Sequence, residues 1–162
     1  MLAPAVAFWQ VILAVHIAAV VVAFGVVFAY PLFALAGKRA DPRAMPWFHR
    51  MQQMIGRRLT SPGLGVILVA GIYLASDLHQ WHRFYVQWAV VVVIVLGALE
   101  GAVMGPREGR LAELAERDIA AAGDGDMAFS QEYDALTKQV GTIGTVMTVL
   151  VLITIYLMSV QA

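Results

Sequence analysis

The chain has 162 residues, 60% of them hydrophobic and 14% charged, with 11 basic side chains balanced by 11 acidic ones. Soluble domains carry about 45–50% apolar residues, so this composition excludes an ordinary water-soluble globule and points to a bilayer. Cysteine is absent, which excludes disulfides, thiolate metal sites, iron–sulfur clusters and a cysteine nucleophile, and nothing in the charge pattern points to nucleic acid.

No Asp, Glu, Lys or Arg occurs before Lys38. About 20 apolar residues cross a hydrocarbon core, so a first spanning helix is predicted over about residues 5–36. Its start has no basic segment, and its apolar run is longer than a signal core, so it is read as a retained helix. Pro31 is expected to kink its inner end. An amphipathic helix follows from Pro42 to Leu59, capped by Asp41. Trp47, Phe48, Met51, Met54, Ile55 and Leu59 fall on one side, and Arg43, Arg50, Gln53 and Arg57 fall away from them. That pattern predicts an interfacial helix, apolar face in acyl chains and basic face toward headgroups.

A second span is predicted over about 62–77, opening with Ser61 as cap and Pro62 at the first helical position. A third covers about 84–105 and is expected to stop at Pro106. A further amphipathic stretch carries Leu111, Leu114, Ala115 and Ile119 on one stripe and breaks at Gly123 and Gly125. Helix resumes near Ser130 and leads into a fourth span over about 139–160. The expected fold class is therefore all-α: a single membrane domain over residues 1–162, with four transmembrane helices in a bundle and amphipathic interfacial helices in the first and third connections. Ten of the eleven basic residues lie in those two connections or at their edges, and Arg83 is the exception. The positive-inside rule then predicts a bacterial inner-membrane protein with both termini outward.

The third span carries Gly97, Gly101 and Gly105, four residues apart, and the fourth offers Gly141, Thr145 and Thr148. Such small faces let helices approach closely in lipid. They predict packing of these two spans, or a homo-oligomer or partner membrane protein on the same stripe.

His16 is the ionisable residue inside the first span. A side chain that costly in hydrocarbon normally faces the bundle interior and has a partner. Three roles are open to it: a satisfied core histidine, an axial ligand to haem b or another metal, or a proton relay. Glu100 is the acidic residue within a span, and Arg57 and Arg58 are expected to reach it as a structural ion pair; the alternative is a proton-handling carboxylate. His16 and Glu100 are placed about 8 Å apart in depth, at 1.5 Å rise per residue. In the second connection Asp77, His79 and His82 could bind zinc or copper. The alternative there is a set of interfacial polar residues anchored by Trp81, Tyr85 and Trp88. No nucleophile triad, phosphate loop or dinucleotide fingerprint is present, so no catalytic residue is assigned and enzymatic activity is not expected.

His16, Gly25 and Pro31, then Arg57-Arg58-Leu59-Thr60-Ser61-Pro62, Gly71-Ile72-Tyr73-Leu74 and Gly105-Pro106-Arg107, form a pattern over about residues 10–110. It resembles an uncharacterised bacterial family of four-helix predicted integral membrane proteins (a domain of unknown function), distantly similar to the CopD copper-resistance domain and to HemJ-type protoporphyrinogen oxidases. The likeness to HemJ-type proteins implies that His16 is the first-helix histidine that ligates haem. This chain has Leu32 where that pattern has arginine, Gln87 where it has lysine, and Glu100 near its expected histidine. Those departures remove residues of the oxidase pattern while keeping the haem-ligating one. The functional expectation is a membrane protein binding haem or a metal through His16. The alternatives are a non-enzymatic structural or accessory subunit and a small oligomeric transporter.

Overall fold

The computed structural model describes residues 6–160. Residue 5, where the first span was placed to begin, lies outside the described residues. Seven α-helices occur, with no strand among the described residues: α1 (Phe8–Phe24), α2 (Tyr30–Ala40), α3 (Met45–Ile55), α4 (Ser61–Asp77), α5 (Phe84–Leu99), α6 (Gly105–Ala122) and α7 (Gln131–Val160). They join end to end into four rods, Phe8–Ala40, Pro42–Asp77, Phe84–Ala122 and Gln131–Val160, each long and apolar enough to span a bilayer. Most of their aliphatic surface faces outward, as at Val11, Val69, Val91 and Leu152. That surface suits hydrocarbon and no aqueous medium.

The rods are longer than the sequence suggests because their prolines do not end them. Between α3 and α4 the Gly56–Thr60 segment forms a π-turn closed by Ser61 N–H on Gly56 O, immediately before Pro62. Between α5 and α6 the Glu100–Met104 segment does the same, with Gly105 N–H on Glu100 O just before Pro106. A proline ring collides with the carbonyl four residues back, and a wider turn relieves that clash without breaking the helix. So Ser61 opens no new helix, and Pro106 does not stop the third span. At Pro31 the expected disturbance is found as a 3-10 turn over Val27–Ala29.

Two cores stack along the rods. In the apolar bundle Ala23, Phe24, Leu64, Ile67, Val92, Leu96, Met147 and Val151 pack together. At the basic end Met45, Phe48, Leu111, Leu114, Ala115, Tyr133 and Val140 form a second cluster, and Met104 touches both. The connecting helices are amphipathic as expected, but α3 turns Met45 and Phe48 onto α6 and α7, while Trp47, Met54 and Leu59 stay exposed. Burying apolar area against another helix removes it from water as an acyl layer would, so the periodicity alone could not choose between them. Ion pairs surround this end: Arg50 with Glu116, Arg110 and Arg117 with Glu132, and Lys38 with Asp134. Arg43 donates to the carbonyls of Gly123 and Gly125, fixing the break after α6, where Gly123 takes a positive φ of 54°.

In the bundle α1 packs on α4, α4 on α5 and α5 on α7, with no comparable packing from α7 back to α1. The four rods thus form a horseshoe. The α1–α4 approach is close, since a Cβ at Gly63 would stand 2.8 Å from that of Ala23. The Gly97 and Gly101 stripe, by contrast, has open space beside it, as does Gly141, and Gly105 meets only its own helix's Glu100 carbonyl. Thr142, Thr145 and Thr148 turn their hydroxyls back to carbonyls four residues earlier on α7. Within the apolar bundle the small residue that lets one helix close on another is thus Gly63 of α4. Gly63→Leu is expected to lower stability by about 1–3 kcal/mol through overpacking, whereas Gly97→Ala and Gly101→Ala should stay within about 0.5 kcal/mol of wild type. Melting curves in detergent decide this, and an unaffected Gly63→Leu protein would overturn the α1–α4 contact.

Candidate functional site

His16 lies on α1 against α4. Gly71 makes room for it: a Cβ there would come within 3.3 Å of the imidazole Cε1 and 3.7 Å of Nδ1. The Nδ1 edge is thus turned to the backbone of α4 near Ile67, and Nδ1 is buried with no hydrogen bond of standard geometry. Nε2 is the ring nitrogen left with open surface. His16 lines a cleft of about 700 Å³ between α1, α4, α5 and α7, within the range of about 300–1,000 Å³ usual for small-molecule sites.

The walls of the cleft are aliphatic, including Leu13, Val20, Ile67, Val93 and Val151, and Phe24 with Leu96 lies toward the basic end. The uncharged polar groups Gln80, Tyr85, Thr154 and Ser159 lie toward the opposite end. Tyr85 donates to Gln80 Oε1 at 3.3 Å, and Trp88 Nε1 donates to Thr154 at 3.0 Å, tying α5 to α7. Thr154 and Ser159 also bond carbonyls four residues back on α7. These groups are largely committed, whereas Nε2 of His16 is not.

Glu100 does not meet Arg57 or Arg58. Its carboxylate lies against the bare α-carbon of Gly56, where any Cβ would collide. No ion pair joins it to either arginine, and both are exposed. The π-turn explains this, because it buries Gly56 and Thr60 against the neighbouring rods and rolls Arg57 and Arg58 outward. The Tyr30 hydroxyl, buried and without a partner, lies in the electrostatic field of Glu100 and Glu108. Gly56 and Gly71 are 15 residues apart on one rod, so His16 and Glu100 sit roughly 20 Å apart along it, farther than the expected 8 Å. The reason is that His16 sits opposite Gly71, close to the end of α4 at Asp77, whereas Glu100 follows the full length of α5 from Phe84.

Asp77, His79 and His82 lie at the turn after α4, where His79 takes a positive φ of 56°. No group of three His, Asp or Glu side chains converges as a metal site among the described residues. Trp81 bonds Ser76 and Gln87 bonds the Trp81 carbonyl, so this turn is tied by its interfacial polar groups.

One cluster had not been singled out from the sequence. At the basic end His49 of α3 is 4% exposed, Glu108 of α6 5% and Tyr133 of α7 1%. His49 Nδ1 is 2.7 Å from Glu108 Oε2, and Nε2 is 2.9 Å from the Tyr133 hydroxyl. With Nδ1–H donating to the carboxylate, Nε2 is free to accept from the phenol, so the polar atoms of three helices satisfy one another. Met45, His49 and Gln53 on α3 and Gly56 of the π-turn after it recur at helical spacing, as do Gly105, Glu108, Ala112 and Ala115 on α6. Those stripes were the available signal. Gln53 also donates to the Gly105 carbonyl at 2.7 Å. The cluster lines no described cavity and locks the basic end.

Comparison with models of known families, with curated proteins and with solved structures gives no match. The fold and the cleft define the class, a membrane-spanning four-helix bundle, and chemistry must carry the rest. For the lock, Glu108→Ala should cost about 1–3 kcal/mol because it strands a buried imidazole N–H, and Tyr133→Phe about 1 kcal/mol. A His49→Leu, Glu108→Leu double variant should recover much of the first loss. Additive single-site losses in a double-mutant cycle would show that the pair is not coupled.

Proposed function

We infer that the protein is a multi-pass protein of the bacterial inner membrane that holds a membrane-soluble ligand against His16; haem b is the ligand that the likeness to HemJ-type proteins implies. The observation that carries this reading is a histidine whose Nε2 opens on a large apolar cleft while its other nitrogen is turned to backbone. Imidazole is a common ligand for metals, and this one lines the cleft. Haem, when bound, would supply one-electron chemistry. The histidine fits the iron, but the lining offers no Lys or Arg to face two propionates, so no step is derived through haem.

The gathering of basic residues at one end supports an orientation with that end in the cytoplasm and both termini outward. A second reading, an accessory subunit or oligomer, draws support from the open faces at Gly97, Gly101, Gly141 and Gly144.

The ligand reading is tested by visible spectra and melting curves of purified wild type and His16→Ala, with and without hemin. A ligand-dependent rise in Tm should be lost in His16→Ala. A wild-type protein unmoved by hemin removes haem, and equal shifts in both proteins remove His16. Orientation is read on the cysteine-free chain. Asp77→Cys should react with an impermeant maleimide in intact cells, and Asp124→Cys only after permeabilisation; the reverse pattern inverts the topology. Native mass spectrometry in lipid giving monomer alone would remove the oligomer.

A further inference from the structure

We propose that the cleft binds an uncharged, lipid-soluble ligand whose ring-sized head carries carbonyl or hydroxyl oxygens, the quinone–quinol class, entering sideways between α1 and α7. The proposal rests on the reading of the cleft as a ligand site and names its occupant.

Charge is the first argument. No Asp, Glu, Lys or Arg lines the cleft. A carboxylated or phosphorylated ligand would enter a low-dielectric space without a counter-charge, and the desolvation of its anion would go uncompensated. A neutral ring has no such cost.

Access is the second. The horseshoe is open where α7 fails to pack on α1. The lips carry residues that both line the cleft and face outward: Ile17 at 54% exposed, Val21 at 63% and Ile155 at 41%. A molecule dissolved in the bilayer reaches His16 through this gap without crossing water.

Hydrogen bonding is the third. A lipid acyl chain in the cleft would leave Nε2 of His16 facing hydrocarbon unpaired, which costs free energy. A neutral imidazole has one donor and one acceptor nitrogen, and the tautomer sets which is which. With the proton on Nε2, His16 donates to a quinone carbonyl; with it on Nδ1, Nε2 accepts from a quinol hydroxyl. One residue thus serves both forms of the same ring. Farther along the cleft the Gln80 amide offers donors to a second oxygen.

The test is titration of decylubiquinone into the full-length protein in dioleoylphosphatidylcholine nanodiscs, read by quenching of intrinsic tryptophan fluorescence, since Trp9 lines the cleft. Saturable quenching is expected. His16→Phe should weaken it by about fivefold, the equivalent of one neutral hydrogen bond. Val21→Phe narrows the exposed lip more than one helical turn from His16, and should also weaken it while leaving the circular-dichroism melt unchanged. Quenching that never saturates means that bilayer lipid fills the cleft, and overturns the proposal. Saturable quenching indifferent to both variants places the quinone elsewhere and does the same. If hemin binds through His16 and decylubiquinone does not, the ligand site stands and the neutral class falls; if neither binds, both readings fall together.

Discussion

The approach of α1 to α4 sets the rest of the bundle. At Gly63 the contact surface of α4 is an α-carbon, so α1 comes in far enough for Ala23 to be fully buried. In a bilayer there is no hydrophobic drive between helices, and such close packing is a main source of association. Two turns on, Gly71 repeats the arrangement and receives an imidazole. Because α1 is drawn to α4, it is held away from α7, and the gap is the cleft. A larger residue at position 63 or 71 would therefore alter both the helix pair and the space that His16 faces.

The basic end obeys different rules. There the rods leave the apolar bundle, and ordinary burial works again, so Phe48, Leu111 and Leu114 make a compact core. Within it His49, Glu108 and Tyr133 are mutually satisfied, so three buried polar groups stay paired. The π-turns allow both regimes in one rod, since each lets a helix pass its proline and continue into the basic core.

How far the sequence could be read follows from which forces leave a local trace. Hydrocarbon demands long apolar runs and satisfied backbone, so the presence of four helices was legible, as were the Asp41 cap and the break at Gly123. His16 was legible as an ionisable side chain inside a span, since no charge surrounds it in sequence. What was not legible depended on partners distant in the chain. His49 and Glu108 are 59 residues apart, and each alone reads as a polar residue on an amphipathic helix. The glycines of the third span had the right spacing for packing, but spacing carries no information on which way a face turns. Pro62 and Pro106 read as helix boundaries because a π-turn has no composition of its own.

The last helix differs from the other rods in having no joint. It runs 30 residues from Gln131 to Val160, roughly 45 Å at helical rise. It gives Tyr133 and Val140 to the lower core and Met147 and Val151 to the upper one. A stiff mast seated in both cores transmits torque between them. Any tilt of this helix beside the cleft would therefore be felt by the contacts of Tyr133 at the far end.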